Sequence, residues 1–311
     1  MRVSSPVPAN FKQVNILDYL TARFTYLPRQ AWLDLVMQQQ VTRNGVACHP
    51  ATLVTQGDVV ACDVPQVAQP AVNLAYTIIY ADRWLLGINK PGGLRVHSQG
   101  KFVTANLIYH LRHEHEPPYP EAQLINRLDA DTSGVVLVAC NEDARRLLGE
   151  QFQEQLVDKE YLAVVQGVPA VAQGMIDLPV GRAQGSQVKH RQGVVRGEGG
   201  KTAVTHYHLI NTLGPHHALL RLHPQTGRTH QLRVHLAAIG HPIVGDALYT
   251  MDDDAFLAWS QHRQPIPAMC GMARQALHCS RTRFTHPITQ QPCTVEAPMP
   301  GDMRQLIDQL S

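Results

Sequence analysis

Apolar residues at helical spacing predict two helices near the start of the chain. The first runs from Ile16 to Phe24, and Pro28 then interrupts the pattern. A second helical stretch extends from Ala31 to Met37, with its apolar residues on one face. The spacing therefore predicts a pair of short amphipathic helices before any strand-like segment.

Two short β segments follow the predicted helices, around residues 41–46 and 59–64. Each has a turn signal, Asn44-Gly45 in the first case and Gly57-Asp58 in the second. Both residue pairs are common where the chain reverses direction between strands. Together with the helices, these segments predict a compact α/β unit.

A change of composition separates this unit from the rest of the chain. Residues 64–73 contain two prolines and no charged residue, which is typical of a linker. We therefore predict a small N-terminal domain of residues 1–63, a linker at 64–73 and a larger domain of residues 74–311.

The larger domain begins with strand-like patterns. Thr77–Tyr80 and Trp84–Asn89 are β-type runs that predict a hairpin. Asn141 is placed to cap a helix that extends to about Gln155, and Lys159–Gly167 alternates as a strand does. Leu232, Leu236 and Ile239 then repeat at helical spacing, and Gly240 and Pro242 end that helix.

Charge and composition describe an ordinary globular protein. The 311 residues carry a net charge of +2 and 17 histidines, so binding of a polyanion would depend on local clusters of positive charge. Residues 181–201 form such a cluster, with five Lys/Arg against one acid and six glycines. This segment favours phosphate contact, although a solvated surface loop is the alternative.

Several classes of protein are excluded by residue usage. The six cysteines lie far apart without a Cys-x-x-Cys pair, which favours reduced thiols in a cytoplasmic protein. His113-Glu114-His115-Glu116 has no matching group of ligands downstream, and the chain lacks a nucleotide-binding glycine fingerprint, so we predict neither a metal site nor a cofactor. No run of 18 apolar residues and no export signal occur, so we expect no membrane partner.

One polar turn is placed as catalytic groups often are. The stretch 126–134, Asn-Arg-Leu-Asp-Ala-Asp-Thr-Ser-Gly, runs directly into the apolar segment Val-Val-Leu-Val-Ala. This order holds charged side chains at the end of a rigid, buried strand. By itself the stretch is equally compatible with a solvated turn before a strand.

Three ordered motifs resemble the pseudouridine synthases of the RluA family. They are the stretch 126–134, Lys-x-Tyr-x-Ala-x-Val-x-Gly at 159–167 and Thr-Gly-Arg-Thr-His-Gln-Leu-Arg-Val-His at 226–235. The order of helices, strands and turns before residue 64 resembles the S4 RNA-binding fold. These resemblances imply an α+β protein: a catalytic domain with a mixed, mainly antiparallel sheet, preceded by a small S4-like α/β domain.

The family resemblance implies that uridine in an RNA chain is isomerised to pseudouridine. By this resemblance Asp129 is the catalytic carboxylate and must be ionised to act at the ribose, and Arg233 pairs with it. Tyr161 matches the tyrosine that stacks on the target base. Arg127 would fill the gap left by the flipped nucleotide. Asp131 is expected to cap the turn or face solvent.

Further RNA contacts are expected from basic residues near these motifs. In the catalytic domain they are Lys90, Arg228 and His230; in the S4-like domain they are Arg29 and Arg43. That domain has five Lys/Arg against four acids up to Gln69, so a purely structural role is the alternative. By analogy with S4-bearing members, we expect ribosomal RNA rather than transfer RNA, bound by a monomer.

Asn126 departs from the family, which usually has His before Arg-Leu-Asp. If that histidine mainly hydrogen-bonds the loop, Asn can replace it; if it contacts the substrate, the preferred RNA would differ. We expect the first. Two other functions are the alternatives: an RNA-binding factor that has lost activity, and a glycosidase. Asp129, Tyr161 and Arg233 argue against the former, and the single strong carboxylate candidate argues against the latter.

Overall fold

The computed structural model describes residues 2–24, 26–63, 70–98, 102–262 and 270–311. The chain forms two compact units. The first comprises Met1–Ala71 and His97–Asn106, and the second comprises Val72–Val96 and Leu107–Ser311.

The first unit contains two helices and two small antiparallel sheets. Its elements are β1 (Arg2–Pro6), β2 (Val14–Asn15), α1 (Ile16–Arg23), α2 (Arg29–Met37), β3 (Val41–Arg43), β4 (Val46–Ala47), β5 (Leu53–Val54) and β6 (Val59–Asp63). One sheet has the order β1-β6-β3-β4, and β2 pairs with β5. The Asn15 side chain caps α1 by accepting a hydrogen bond from the Leu17 N–H.

The segment around 41–46 is a hairpin rather than one strand. Asn44 and Gly45 form the turn between β3 and β4, with φ angles of 50° and 84°. Two consecutive positive φ angles suit an Asn-Gly pair, because both residues tolerate the left-handed region. Strand β1, which pairs along its whole length with β6, was not predicted from the sequence.

The second unit contains a ten-stranded sheet and a separate two-stranded sheet of β13 and β14. The strands of this unit are β7 (Thr77–Ala81), β8 (Leu85–Lys90), β9 (Gln123–Leu124), β10 (Ser133–Ala139), β11 (Asp158–Gln166), β12 (Gln173–Asp177), β13 (Val180–Arg182), β14 (Gln192–Val194), β15 (Val204–Leu213), β16 (His217–Pro224), β17 (Leu277–Thr285) and β18 (Pro292–Glu296). Its helices are α3 (Leu107–His113), α4 (Glu142–Gln153), α5 (Gln231–Ala238), α6 (Ala247–Thr250), α7 (Asp253–His262) and α8 (Gly301–Leu310).

The main sheet has the order β12-β15-β16-β11-β17-β10-β8-β7, and β18 and β9 pair with β17 and β10. Strands β10 and β17 run parallel, whereas the other pairs of this sheet are antiparallel. This architecture confirms the predicted α+β class with a mixed, mainly antiparallel sheet. The predicted hairpin at 77–89 and the helix capped by Asn141 are also present.

Strand β10 lies inside the main sheet, between β17 and β8, and is buried at every residue. Burial on both faces explains why its sequence is continuously apolar rather than alternating. At its start Gly134 has a φ of +110°, and a Cβ there would lie 2.1 Å from the Cys279 carbonyl oxygen. Only glycine fits this position, so the parallel strands β10 and β17 can approach directly after the polar turn.

The basic segment 181–201 contains regular structure. Its first part forms a short hairpin in which Gly181 pairs with Gly193. The Arg182 guanidinium donates to the Val188 carbonyl, and Arg191 pairs with Asp253 at 3.0 Å. Two of the five basic side chains, Arg182 and Arg191, therefore form contacts within the protein. Throughout the described ranges, no helix has both the length and the apolar character needed to cross a bilayer.

Candidate active site

The loop between β9 and β10 carries Asp129 and is anchored at several backbone atoms. The Asn126 side chain accepts a hydrogen bond from the Leu137 N–H at 2.7 Å. Lys90 donates to the carbonyl of Ala130 at 2.9 Å, and Arg274 donates to the carbonyl of Asp131 at 3.1 Å. The bond made by Asn126 is the loop-holding role that would let it replace the family's histidine.

Lys90 lies beneath this loop and not on its surface. Its side chain is fully buried, and its ammonium donates to the carbonyls of Pro91, Leu94 and Ala130 at 2.8–2.9 Å. Burial lowers the pKa of Lys90 to about 7, while the charge of Asp131 opposes this shift. The ammonium is enclosed by backbone carbonyls, so the structure gives no support for a direct contact of Lys90 with RNA, and that contact stays a prediction.

Arg233, in the first turn of α5, joins two aspartates. Its Nη1 lies 2.9 Å from Asp129 Oδ2. Its Nε and Nη2 bind both carboxylate oxygens of Asp246, at 2.6 and 2.8 Å. Asp246 is 1% exposed, whereas 29% of the Asp129 side chain is accessible. The buried Asp246 thus holds the guanidinium in place, whereas Asp129 contacts it at a position that is partly accessible to solvent.

The electrostatic environment keeps Asp129 ionised. Burial favours the neutral acid, but the positive charge of Arg233 and its hydrogen bond outweigh this and hold the pKa of Asp129 below its ordinary value. The pKa of Arg233 is raised despite its burial, because Asp246 and Asp129 favour the charged form. The pair is therefore an ionised carboxylate and a guanidinium, as the resemblance implied.

The turn before α5 is fixed by the Gln231 side chain. Its Oε1 accepts hydrogen bonds from the Thr226 hydroxyl at 2.7 Å and from the Arg228 N–H at 3.0 Å. Its Nε2 donates to the carbonyl of Val204 at 3.0 Å. His230 precedes the helix in the left-handed region, with a φ of 57°. The motif Thr-Gly-Arg-Thr-His-Gln thus folds as one turn that presents His230 and Arg233 together.

His230 is the second group of this turn beside the carboxylate. Its Nε2 lies 3.8 Å from Asp129 Oδ2, and its Nδ1 lies 2.8 Å from the Tyr249 hydroxyl. Burial and the charge of Arg233 lower the pKa of His230 to about 4, although Asp129 opposes the shift. The imidazole is therefore neutral near pH 7, and 11% of its side chain is exposed.

Tyr161 lies in β11, between the two main apolar clusters of this unit, and packs against both. Burial raises the pKa of Tyr161 well above its ordinary value, and neighbouring Cys279 and Asp129 raise it further. The phenol is therefore neutral, and its hydroxyl group interacts with the Cys279 side chain.

The remaining predicted contacts of this unit are exposed arginines. Arg127 and Arg228 both lie at the surface, one next to the Asp129 loop and one in the turn before α5. The Arg228 Nε donates to the Thr202 carbonyl at 3.0 Å, which orients the side chain without neutralising it. Both positions suit contact with phosphate.

In the first unit, Arg29 and Arg43 are each paired with an acid. Arg29 lies 2.5 Å from Asp18, with both side chains 55% exposed. Arg43 lies 2.8 Å from Asp58, whose pKa is lowered mainly by the Thr55 backbone N–H. Their positive charges are partly offset, and their roles in RNA binding stay predictions.

Two residues that organise the site were not singled out from the sequence. Neither Asp246 nor Arg274 is among the residues that the sequence predicted for the site. Arg274 binds Asp302 through two hydrogen bonds, at 2.7 and 2.8 Å, and also holds the Asp131 carbonyl. No local pattern reveals either pair, because the partners lie 13 and 28 residues apart in the sequence.

Comparisons with known proteins agree with this geometry. The model of the family described as RNA pseudouridylate synthase matches residues 85–238. An RNA pseudouridine synthase of Synechocystis sp. is 34% identical over 94% of this chain and 88% of its own length. The ribosomal large subunit pseudouridine synthase D of Xylella fastidiosa is 36% identical over 93% of this chain and 86% of its own length.

A solved structure shares the fold. Human RNA pseudouridylate synthase domain containing 1 superposes with a TM-score of 0.57 at 26% identity, covering 78% of this chain and 97% of that chain. Fold and relatives together define an isomerase that modifies uridine in RNA. The chain belongs to the RNA pseudouridylate synthase family. The predicted family is thus confirmed, whereas the S4 resemblance of the first unit stays a prediction.

Proposed function

We propose that this enzyme converts specific uridines of large-subunit ribosomal RNA to pseudouridine, with Asp129 acting at the ribose. Four relatives are named ribosomal large subunit pseudouridine synthase D, which supports this RNA rather than transfer RNA. All six cysteines are free, in keeping with a reducing cytoplasm, where we expect the enzyme to act as a monomer.

The observation that carries the proposal is the position of Asp129. Its carboxylate is ionised by Arg233 and still 29% accessible, so a ribose can approach it. In the isomerisation the N1–C1′ bond breaks, the base turns while it is held, and a C5–C1′ bond forms. C5 loses a proton and N1 gains one, so the product is an isomer. Asp129 would serve as base or nucleophile at the ribose.

Neighbouring side chains suit the other demands of this reaction. A nucleotide inside a folded RNA must be extruded, at a cost of a few kcal/mol, before a carboxylate can reach its ribose. Arg127 is exposed beside Asp129 and would occupy the space that the base leaves. The neutral phenol of Tyr161 would stack on the turned base.

Replacing the carboxylate tests this mechanism. We expect Asp129→Asn to abolish pseudouridine formation in ribosomal RNA transcripts and to change RNA affinity by less than about threefold, since an amide keeps the shape without the charge. Asp131→Asn, two residues further along the loop, is the matched control and should stay active. Pseudouridine would be mapped by chemical labelling. Normal modification by Asp129→Asn would disprove the role of Asp129, and modification of transfer RNA alone would disprove the substrate.

We further propose that the first unit adds affinity for structured RNA through Arg29 and Arg43. Replacing Arg43 by Glu reverses a charge that Asp58 offsets only in part. The slope of log affinity against log salt concentration should fall by about 1 for each lost phosphate contact. Lys12→Glu serves as a control for a general change of net charge. An identical effect of both variants would refute a specific contact.

A further inference from the structure

Tyr249 connects the basic hairpin of β13 and β14 to the group that faces Asp129. Its hydroxyl lies 3.1 Å from the backbone nitrogen of Gln192, at the start of β14. The same hydroxyl lies 2.8 Å from His230 Nδ1. The opposite ring nitrogen of His230 lies 3.8 Å from Asp129 Oδ2. A continuous line of contacts therefore runs from a strand backbone to the carboxylate.

The direction of these hydrogen bonds follows from the donors present. A backbone N–H can only donate, so the phenol oxygen accepts the hydrogen bond from Gln192. The phenol O–H group therefore donates its hydrogen bond to Nδ1 of His230. Since the imidazole is neutral, its single proton must be on Nε2, facing Asp129. The other tautomer would direct a lone pair at a carboxylate, which is unfavourable.

Tyr249 also contacts the second group beside Asp129. The guanidinium carbon of Arg233 lies 5.0 Å from the centre of the Tyr249 ring, and the ring stands perpendicular to that of His230. A cation over an aromatic face is attracted to it. One side chain thus touches both the imidazole and the guanidinium, while its hydroxyl is held by the hairpin.

The hairpin itself is bound to the segment that carries Tyr249. Asp253, in α7, accepts hydrogen bonds from the Ser186 hydroxyl at 3.0 Å and from the Gln187 N–H at 2.6 Å. Val188 packs with Leu248 in a small apolar cluster. The exposed residues Lys189 and His190 lie on the same hairpin. A displacement of the hairpin would therefore reach Tyr249 through its bond to Gln192.

We propose that Tyr249 is a positioning residue, whose hydroxyl is held by the β13–β14 hairpin and keeps His230 in the Nε2–H tautomer that faces Asp129. The arrangement of the catalytic carboxylate thereby depends on the placement of a basic segment suited to phosphate. The catalytic part of this inference rests on the proposed role of Asp129, whereas the tautomer does not.

Removing one oxygen atom tests the inference. Tyr249→Phe keeps the ring over Arg233 and removes only the hydroxyl. We expect the single-turnover rate of pseudouridine formation to fall about tenfold or more, with the dissociation constant for RNA nearly unchanged. Nitrogen-15 NMR of the histidines, assigned with His230→Gln, should show Nε2–H in the unmodified protein. In Tyr249→Phe it should show a mixture of tautomers.

The chain offers a closely matched control. Tyr76 also has its hydroxyl 2.8 Å from a histidine Nδ1, that of His110, and these two rings are nearly perpendicular as well. Tyr76→Phe removes the same kind of hydrogen bond outside the candidate active site. It should keep the normal rate and the normal His230 signals.

Each outcome decides the inference. The inference would be overturned if the rate of Tyr249→Phe were within twofold of the rate of Tyr76→Phe. It would also be overturned if Tyr249→Phe were slow but kept the His230 tautomer of the unmodified protein. An Nδ1–H tautomer of His230 in the unmodified protein would by itself overturn the inference. Full activity of Asp129→Asn would instead refute the proposed function, and the NMR comparison on the resting protein would still decide the tautomer.

Discussion

Two arginines hold the Asp129 loop, and they do so in different ways. Arg233 and Arg274 are both buried, and each binds both oxygens of an aspartate, Asp246 or Asp302, at 2.6–2.8 Å. Each has a further N–H group left for the loop. Arg233 donates it to the Asp129 carboxylate, whereas Arg274 donates to the backbone carbonyl of Asp131.

This difference means that one arginine controls the charge of Asp129 and the other controls the position of its loop. Asp246 is 1% exposed and Asp302 is 46% exposed, so the ion pair of Arg233 lies in a much drier environment. Charges interact more strongly where water is excluded, and Arg233 therefore acts on the ionisation of Asp129. Arg274 meets an uncharged peptide group and can only fix where the loop lies. The two arginine–aspartate pairs are similar, but Arg233 controls the charge of Asp129, whereas Arg274 controls the position of the loop at Asp131.

Arg233→Gln should break this comparison most strongly. The variant leaves Asp129 without its cation and Asp246 buried without a partner. We expect a loss of about a thousandfold or more in single-turnover rate, equivalent to about 4 kcal/mol. The free energy of unfolding should fall by about 3 kcal/mol, measured with urea.

Arg146→Gln is the control for Arg233→Gln, because Arg146 forms an exposed ion pair with Glu150 at 3.0 Å. Exposed pairs contribute less than about 1 kcal/mol, so its rate and stability should match the unmodified protein. Equal behaviour of the two variants would mean that the buried pair has no special role.

Arg274→Gln should have a smaller effect of a different kind. The variant removes hydrogen bonds to Asp302 and to the Asp131 carbonyl, so we expect the free energy of unfolding to fall by about 2 kcal/mol. The rate should fall about tenfold, because the loop is less well placed although Asp129 keeps its cation. A thousandfold loss would show that position matters as much as charge.

The pH dependence should distinguish the two arginines most finely. In the proposed mechanism Asp129 acts when ionised, so activity is lost as pH falls through the pKa of Asp129, which Arg233 holds below the ordinary value. In Arg233→Lys the two-point pairing is weaker and the pKa of Asp129 rises. The rate should then begin to decline at a higher pH than in the unmodified protein, whose profile stays level to a lower pH. Arg274→Lys should keep the level profile, and a decline there would contradict the division of roles.

Local patterns were sufficient for much of the second unit. The helix capped by Asn141, the hairpin from Thr77 to Asn89 and the C-terminal end of α5 depend on contacts within a few residues, so periodicity and capping signals predict them. Local patterns did not predict elements whose pairing partners are remote in the sequence. Strand β1 is paired with β6, more than 50 residues away, and its own sequence has no marked alternation.

The sequence by itself determined the family and named Asp129, Tyr161 and Arg233 as the candidate catalytic residues, because their motifs are contiguous and occur in a recognisable order. Only the tertiary structure decided what surrounds Asp129. It buried Lys90 under backbone carbonyls, and it brought Arg274 to a loop 143 residues away. Such partners depend on which elements become neighbours in the sheet. Burial and long-range ion pairing arise from that packing, and no local spacing of residues records them.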